Sequence, residues 1–373
     1  MIILNCSLIM CLFLCFLDPF EAIKCLDETG KSVDWFFTYK LPKDNSNGDK
    51  QNGYTYGLIT SKQHENWKLS RRLVNSADSI WGKTLAPLYS NRRDYTYLAW
   101  NDDPPNSEGN SYYAHSKGVL ALDSRSGFWL IHSVPNFPPL FNGSYNYPDT
   151  GRENGQLSMC LSFQTQSEGS KIGRHLTFLR PNIYDYNLIK TIPSDNEYFQ
   201  SLLSPLQSRK SISDEIIKTK ITGTDKSADE FLAFSKPSKV LVDIYSEEIS
   251  PTLKSDLYTQ TWRRGAGGIL NSSCPIRKKQ TINIQSLRIN FPDNRSASVD
   301  WEFTSDHSKW TITKTETSSN HWTCIGDINR MRSQYKRSGG VVCLKNDQVW
   351  RLFKSLIKET ESCSNNRSPS RRY

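Results

Sequence analysis

The chain has 373 residues, of which 36% are hydrophobic, and it includes 10 Trp and 17 Tyr. This supply of apolar side chains is enough for a sizeable core in one large or two small domains, and it argues against a mainly disordered chain. The 47 Lys and Arg outnumber the 38 Asp and Glu, and the resulting net charge of +9 suits a polyanionic partner such as nucleic acid or an anionic membrane surface.

A secretory signal is predicted over residues 1–22. Its apolar run ends at Asp18 and Pro19, and Ala22 supplies a small residue for cleavage, although the usual charged amino-terminal region is missing. A signal anchor is the alternative, but the run is short for a membrane span. No later stretch is long and apolar enough to cross a bilayer. We therefore expect a luminal or extracellular protein without stable membrane association.

Six cysteines follow the predicted signal, and an even number in a secreted chain implies disulfides whose pairing the sequence leaves open. The lack of any C-x-x-C pair argues against a zinc site. Four acceptor sequons agree with passage through the secretory route. The cysteines are Cys25, Cys160, Cys274, Cys324, Cys343 and Cys363, and the sequons begin at Asn142, Asn271, Asn294 and Asn366.

Hydrophobic runs bounded by turn residues predict a mainly antiparallel or mixed sheet in the first half of the chain, with few long helices. The polar break at 123–127 separates two apolar runs, 119–122 and 128–131, and predicts a hairpin. The other predicted strands are 33–41, 54–60, 95–100, 157–163 and 176–179, and a short helix is predicted within 75–89.

Residues from about 193 to 227 are polar and rich in Ser, Lys and Asp, which predicts a hinge. We accordingly divide the mature chain into an amino-terminal half, 23–205, a connecting segment, 206–235, and a carboxy-terminal half, 236–373. The elements predicted beyond residue 227 are helices at 228–234 and 346–359 and strands at 240–245, 282–291, 297–303, 310–313 and 339–344.

The tripeptide His-Ser-Lys occurs twice, as His115-Ser116-Lys117 and as His307-Ser308-Lys309. Residues i and i+2 of a strand point to the same face, so each triplet presents an imidazole beside an ammonium. Taken alone, one such triplet is usually a solvated strand edge. Its repetition is typical of metal-free chemistry on a phosphate, in which one histidine forms a covalent phosphohistidine, the other protonates the leaving oxygen and the lysines stabilise the phosphate oxygens.

The segments around these triplets resemble the deoxyribonuclease II family, acid endonucleases with the phospholipase D superfamily fold. The similar segments are V-D-W-F-F-T-Y-K-L-P at 33–42, W-N-D-D-P-P at 100–105, H-S-K-G-V-L-A-L-D at 115–123, G-F-W-L-I-H-S-V-P-N-F-P at 127–138, D-H-S-K-W at 306–310 and W-T-C-I-G-D-I-N-R at 322–330. Together they extend over nearly the whole mature chain.

The resemblance implies an α+β (mixed α/β) fold of two pseudo-equivalent halves, each with a sheet flanked by helices and its own triplet, and one shared active site between them. It also implies catalysis without metal or cofactor, 3'-phosphate and 5'-hydroxyl product ends, and a secreted or lysosomal location. It further implies a role for His132 in or beside the site, and the disulfide pairs Cys25–Cys160, Cys274–Cys363 and Cys324–Cys343.

Four further residues have two interpretations each. His132 is either a site residue or a hydrogen-bonded core histidine, because its neighbours are apolar. Asp123 either orients a histidine or caps the hairpin, and Asp327 and Asn329 either replace a matching acid after Lys309 or are structural. The histidines without a paired lysine are predicted to be structural or surface groups: His64, His175 and His321.

The adjacent Asp102 and Asp103 raise a metal-dependent alternative, but two neighbouring acids followed by Pro-Pro do not make a coordination cage by themselves. The hypothesis is therefore a metal-free acid endonuclease that acts on double-stranded DNA largely without sequence preference. The alternatives are a catalytically weak DNA-binding or host-interaction protein on the same scaffold and a phospholipase D. The oligomeric state, monomer or homodimer, is left open.

Overall fold

The computed structural model describes residues 22–44, 52–190, 193–204, 213–224, 229–293 and 298–363. Within these ranges the protein has a mixed α+β fold with two large sheets and a few helices, as predicted. No helix of the described chain is long and apolar enough to cross a membrane. Residues 1–21 of the predicted signal lie outside the described residues, which begin at Ala22.

The first sheet consists of β1 (Trp35–Lys40), β2 (Tyr56–Thr60), β3 (Gln63–Leu69), β4 (Thr96–Asn101), β5 (Lys117–Leu122), β6 (Ser126–His132), β7 (Gln156–Gln164) and β8 (Ile183–Asn187). Their order is β3-β2-β1-β7-β6-β5-β4-β8, and β5 and β6 form the predicted hairpin. All of β5 is buried because the sheet is covered on both faces: Leu120 and Leu122 face one apolar cluster, and Val119 and Ala121 face another.

The second sheet consists of β9 (Ile217–Thr222), β10 (Glu230–Lys236), β11 (Asp256–Gln260), β12 (Thr281–Asn290), β13 (Ser298–Glu302), β14 (Trp310–Lys314), β15 (Trp322–Gly326), β16 (Gly339–Lys345) and β17 (Ile357–Thr360). Their order is β13-β12-β11-β14-β15-β16-β10-β9, and β17 also pairs with β12. β11 and β12 are parallel, whereas β14, β15 and β16 pair in antiparallel fashion.

Five strands follow the same order in the two sheets, β1-β7-β6-β5-β4 in the first and β10-β16-β15-β14-β11 in the second. The registers agree as well. Gly118 and Trp310 each directly follow the lysine of their triplet, and they lie opposite Ile131 and Ile325 of the neighbouring strand. Each H-S-K triplet therefore stands at the start of the same strand of its own sheet. Lys117 is the first residue of β5, and Lys309 directly precedes β14.

Helices cover the sheets and fill the space between them. The central apolar cluster contains side chains from both sheets and from three helices, α2, α3 and α5, whereas α1 packs on the other face of the first sheet. The helices are α1 (Ile80–Asn91), α2 (Ser170–Leu179), α3 (Pro193–Leu203), α4 (Ser250–Thr252) and α5 (Asp347–Lys354), and a 3₁₀ helix, Arg332–Lys336, lies shortly before β16. The two sheets thus share one core.

Several predicted elements are wrong or only partly right. Residues 176–179, predicted as a strand, form the end of α2, and the predicted helix 228–234 lies largely in β10. Residues 240–245, predicted as a strand, form a loop that leads into a π-helical turn, and the predicted helix 346–359 ends at Lys354, before β17. A short apolar run fits a strand or a buried helix equally well by periodicity, so the neighbouring layers decide between them.

The predicted connecting segment, 206–235, contains β9 and nearly all of β10, which belong to the second sheet; residues 205–212 and 225–228 lie outside the described chain. β9 has a polar composition because it is an edge strand with one face toward solvent. Five strands were not predicted at all: β3, β8, β9, β11 and β15. Three of them are edge strands, and β11 and β15 carry polar Thr within buried positions, which weakens the apolar pattern.

The disulfide pairs implied by the resemblance are confirmed. They are Cys25–Cys160, Cys274–Cys363 and Cys324–Cys343, the last between directly paired residues of β15 and β16. Asn142 and Asn271 are exposed, as a glycosylation acceptor must be. Asn294 and Asn366 lie outside the described residues.

Candidate active site between the two halves

Each H-S-K triplet is held by a backbone hydrogen bond from the opposite half. The backbone N–H of His115 donates to the carbonyl of Ser338 at 2.8 Å, and that of His307 donates to the carbonyl of Gly155 at 2.9 Å. Gly155 and Ser338 occupy equivalent places, one residue before β7 and one before β16. Each triplet therefore lies where its own half contacts the other, and a single chain supplies both.

Asp102 contacts both functional side chains of the first triplet. Its carboxylate pairs with Nζ of Lys117, lies 3.9 Å from Nε2 of His115 and accepts from Nη2 of Arg337 at 3.1 Å. Burial alone would raise the pKa of Asp102, but Lys117, His115 and Arg337 outweigh burial and hold this pKa well below its usual range. His115 and Lys117 reach the same acid, as expected of alternate residues at the start of a strand.

Gln334, in the 3₁₀ helix before β16, determines the tautomer of His115. Nδ1 of His115 lies 2.7 Å from Oε1 of Gln334, and because an amide oxygen only accepts, Nδ1 carries the proton. The lone pair is then on Nε2, on the side of Asp102. Burial lowers the pKa of His115 well below its ordinary value; Asp102 opposes this, and Lys309 and Lys117 lower the pKa further.

An indole packs beside the second histidine. The ring centroids of Trp262 and His307 are 4.3 Å apart, and Oδ1 of Asn329 accepts from the backbone N–H of Trp262 at 3.2 Å. Burial, followed by Lys309 and Lys117, lowers the pKa of His307 to about 3. Asn329, one of the predicted accessory residues, therefore reaches the site through Trp262.

The acid beside His115 and the indole beside His307 stand at equivalent positions of the two halves. In the first sheet Asn101, the residue before Asp102, pairs with Lys117. In the second sheet Gln260 pairs with Trp310, just as Trp100 pairs with Gly118 in the first, and Trp262 and Asp102 each follow two residues later. The two histidines consequently differ in their neighbours, although the strands that carry them are equivalent.

The two triplets share one electrostatic environment. Lys309 lowers the pKa of His115, and Lys117 lowers the pKa of His307. Burial, and then Lys117, lowers the pKa of Lys309 itself to about 7, against the opposing charge of Asp102. The lysine of each triplet thus acts on the histidine of the other.

Asp327 is the predicted accessory acid that lies in this environment. Its Oδ2 accepts from the backbone N–H of Gly340 at 2.8 Å, and the Ser116 hydroxyl also bonds to the carboxylate. Burial raises the pKa of Asp327 to about 7, although these two bonds and the charges of Lys117 and Lys309 act in the opposite direction. Asp327 thus touches the first triplet and adjoins both lysines.

Asp123 lies at the far end of β5 from Lys117. Its Oδ1 accepts from the backbone N–H groups of Arg125 at 2.7 Å and Ser126 at 2.8 Å. These are the bonds of a turn cap. Of the two interpretations of Asp123, the observed contacts match the hairpin cap and not the orienting acid.

His132, at the end of β6, is a buried histidine that borders the site. Its Nδ1 accepts from the backbone N–H of Val134 at 3.3 Å, and its ring packs on Phe137 at 5.3 Å. Burial, and then Lys117, lowers the pKa of His132 to about 3. The three histidines without a paired lysine each pack against an aromatic ring: His64 on Trp35, His175 on Trp129 and His321 on Trp350.

The described part of the chain contains no group of three or more His, Cys, Asp or Glu side chains that could hold a metal ion. Asp102, weighed from the sequence as a magnesium ligand, faces the cations Lys117 and Arg337. A carboxylate that contacts two cationic side chains is part of an ion-pair network, and it needs no further cation to balance its charge.

The comparisons with known proteins agree with these features. The family model described as Deoxyribonuclease II matches residues 24–363. Deoxyribonuclease-2-alpha of Sus scrofa is 34% identical over 350 residues, which cover 92% of each chain. Deoxyribonuclease-2-beta of Homo sapiens is 35% identical over 91% of this chain and 92% of its own, and Plancitoxin-1 of Acanthaster planci is 34% identical over 92% and 93%. The chain belongs to the deoxyribonuclease II family.

This deoxyribonuclease II is a DNA-hydrolysing endonuclease, and the resemblance inferred from its motifs is confirmed. Sequence reasoning nevertheless missed four residues of the site. Asp102 was considered only as a metal ligand, Trp262 was passed over in a glycine-rich stretch, and Gln334 and Arg337 carried no signal. Only Asp102 could have been found, because it directly follows β4, which pairs with the strand that Lys117 begins.

Replacing Asp102 with asparagine is expected to lower the cleavage rate of this deoxyribonuclease II about 10²-fold, because Lys117 and His115 lose the charge that positions them. Asp102 raises the pKa of His115, so its loss should also move the pH profile of the rate to lower pH. The rate of plasmid nicking across a pH series measures both effects. Asp103→Asn is the matched control, and a normal rate and profile in Asp102→Asn would contradict this assignment.

Proposed function

We propose that this deoxyribonuclease II hydrolyses DNA phosphodiesters without a metal ion, through a phosphohistidine intermediate, and leaves 3'-phosphate and 5'-hydroxyl ends. The observation that carries the proposal is the mutual arrangement of the triplets. Each is bonded through its backbone to the other half, and each lysine lowers the pKa of the other triplet's histidine. A metal-free displacement needs a nucleophile and a proton donor at one phosphate, and two histidines from separate segments supply them.

His115 is assigned as the nucleophile, because Gln334 accepts from its Nδ1–H and leaves the lone pair on Nε2. Nε2 attacks phosphorus while the bond from phosphorus to the 5'-oxygen breaks, and His307, as imidazolium, protonates that oxygen. Water then attacks the phosphorus of the phosphohistidine, and His307 takes a proton from the water. The bond from phosphorus to Nε2 breaks, and the phosphate remains on the 3'-oxygen of the DNA. Lys117 and Lys309 donate to the non-bridging oxygens as their charge develops.

Acid conditions favour this reaction, since His307 must start protonated and its pKa is lowered to about 3 in the free protein. A bound phosphodiester brings a negative charge that raises this pKa, because an opposite charge favours the imidazolium. The rate should therefore rise as the pH falls below the ordinary histidine pKa, and it should decline when His115 also becomes protonated. Such a profile suits the secreted or lysosomal location that the predicted signal supports.

Double-stranded DNA is the proposed substrate, bound largely without sequence preference, because contacts with phosphate carry no base information. The net charge of +9 supports this, and exposed Arg264, which lowers the pKa of His307, adds positive charge beside the triplets. The common strand order of the sheets supports a phospholipase D-like arrangement of two pseudo-equivalent halves. We place the start of the second half at β9, because that strand pairs within the second sheet.

Nicking of supercoiled plasmid by the purified protein at about pH 5 in EDTA tests the proposal, since a histidine mechanism needs acid but no metal. We expect nicking in EDTA, and 5' ends that polynucleotide kinase phosphorylates without prior phosphatase treatment. Activity that disappears in EDTA and returns with magnesium would contradict the metal-free mechanism. Ends that require phosphatase treatment first would contradict the proposed bond cleavage.

The same preparation separates the two alternatives that share this scaffold. Hydrolysis of phosphatidylcholine, measured in parallel with DNA hydrolysis, would reveal a phospholipase D. Binding of plasmid without any nicking would favour a catalytically weak DNA-binding or host-interaction protein. We expect nicking of DNA and no release of choline. Arg264 acts on His307 and Arg337 acts on His115, and their positive charge favours a polyanionic substrate.

A further inference from the structure

Two lysines outside the triplets are completely buried and occupy equivalent places in the two halves. Lys40 is the last residue of β1 and Lys236 is the last residue of β10, and both side chains have an exposed fraction of 0%. Lys40 pairs with Gln156, the first residue of β7, and Lys236 pairs with Gly339, the first residue of β16. Each ammonium therefore lies beside the loop that enters the neighbouring strand.

Both ammonium groups bind backbone carbonyls of that loop. Nζ of Lys40 donates to the carbonyls of Arg152, at 2.6 Å, and Asn154. Nζ of Lys236 donates to the carbonyls of Tyr335 at 2.9 Å and Arg337 at 2.8 Å. In each half the two acceptors are residues i and i+2 of the loop, so the two lysines make the same pair of contacts.

The next carbonyl of each loop binds a histidine of the opposite half. Gly155, which follows Asn154, accepts from the backbone N–H of His307, and Ser338, which follows Arg337, accepts from that of His115. We propose that Lys40 and Lys236 are crossed positioning residues: Lys40 holds the loop that positions His307, and Lys236 holds the loop that positions His115. That these histidines are catalytic rests on the proposed function.

The loop held by Lys236 contacts the first triplet and its acid through more groups than the loop held by Lys40 uses to contact the second triplet. Besides the Ser338 carbonyl, it provides Gln334, whose Oε1 bonds to Nδ1 of His115, and Arg337, which pairs with Asp102. The loop held by Lys40 contacts the second triplet through Gly155. Loss of Lys236 should therefore cost more activity than loss of Lys40.

The burial of these ammonium groups is itself unfavourable, which points to a specific use. Burial lowers the pKa of Lys40 to about 7, against the opposing charges of Asp306 and Glu153, and it lowers the pKa of Lys236 to about 8. A buried charge is costly unless hydrogen bonds satisfy it, and here carbonyls provide them. At acid pH both side chains carry three N–H donors, which neither methionine nor leucine would replace.

Chemical modification of the histidines tests the crossing. Lys40→Met and Lys236→Met keep the side-chain length and remove the donors. Diethyl pyrocarbonate is applied to each variant, and the modification rate of every histidine is followed by peptide mass spectrometry. We expect Lys40→Met to change the rate at His307 and leave His115 unchanged, and Lys236→Met to do the reverse. Each variant should also lose about 10²-fold in kcat with little change in KM, because positioning and not binding is lost.

Lys43→Met is the matched control for the first loop. Nζ of Lys43 pairs with the carboxylate of Glu153 at 3.2 Å, so its loss removes an amine that contacts the same loop without removing a donor to a loop carbonyl. Both histidines should then react at the normal rate. Equal changes at His115 and His307 in Lys40→Met, or changes only at the histidine of the variant's own half, would overturn the proposal.

Two further outcomes keep the test decisive. If a methionine variant is not secreted, Lys40→Gln and Lys236→Gln retain an amide donor for one carbonyl, and the same crossed pattern is expected with a smaller loss of rate. No crossed pattern in folded glutamine variants would likewise overturn the proposal. The modification rates do not depend on nuclease activity, so failure of the proposed function, through full activity after loss of either histidine, would be recognised separately.

Discussion

Replacement of His115 or His307 with alanine is expected to abolish plasmid nicking by this deoxyribonuclease II. The proposed first step needs both a nucleophilic lone pair and a proton donor, and neither histidine can perform both tasks in one step. Loss of a general acid alone typically costs about 10²–10⁴-fold in rate, and loss of the nucleophile should cost at least as much. Single-turnover nicking of supercoiled plasmid measures both variants.

A second substrate distinguishes the two histidines. A nucleoside 3'-(p-nitrophenyl phosphate) has a leaving group that departs without protonation, so it does not need a general acid. His307→Ala should retain a single-turnover burst of nitrophenolate, because the first step no longer needs the general acid, whereas His115→Ala should release none. The reverse pattern would exchange the two assignments. His64→Ala is the matched control, because that ring packs on Trp35 and belongs to β3, an edge strand of the first sheet.

Replacement of His175 with leucine is expected to stabilise the protein at acid pH. His175 lies on α2 with an exposed fraction of 0%, beside the ring of Trp129, and neither of its ring nitrogens has a hydrogen-bond partner among the described residues. Burial lowers its pKa from 6.5 to about 3. Leucine is apolar, has a comparable size and does not titrate.

The sign follows from which state binds protons. Between pH 6.5 and about 3 the unfolded chain protonates His175 while the folded protein keeps it neutral, so the free energy of unfolding falls as the pH falls through this window. At about pH 4 the resulting loss in the free energy of unfolding is on the order of 3 kcal/mol, and the leucine variant should not suffer it. His132 and His307, whose pKa values are also lowered to about 3, contribute with the same sign.

Denaturant unfolding at a series of pH values measures this effect. Wild type and His175→Leu should have similar stability near neutral pH, and the variant should become progressively more stable as the pH falls. Plasmid nicking should continue, since His175 belongs to neither triplet. His64→Leu applies the same exchange at a partly exposed histidine. Parallel stability curves for wild type and His175→Leu would show that His175 does not oppose folding at acid pH.

The part of the site that follows from neighbouring residues was predictable. Alternation along a strand placed His115 and Lys117 on one face, and both contact Asp102. The polar break after Leu122 predicted the β5–β6 hairpin, and the resemblance implied the correct disulfides. A role for the two triplets in catalysis remains a prediction for the substitutions described above.

The partners of the histidines were not predictable. Lys40 lies in a predicted strand and in a segment that resembles the family, and Lys236 lies in neither. The burial of the two ammonium groups was not predictable, because it results from the packing of loops around them. Gln334 has no motif, and it reaches His115 only because the second half folds against the first. Asp123 had two interpretations from the sequence, an orienting acid or a hairpin cap, and its observed hydrogen bonds are those of a turn.

By itself the sequence determined the local chemistry of this protein: two imidazole–ammonium pairs on strands, an even set of cysteines and the motifs of its family. The tertiary structure alone decided that each pair is held by a carbonyl of the opposite half, and that an acid stands beside one histidine and an indole beside the other. The reason is physical. Side-chain direction within a strand follows from the geometry of adjacent residues, whereas contacts between distant segments depend on the packing of the whole shared core.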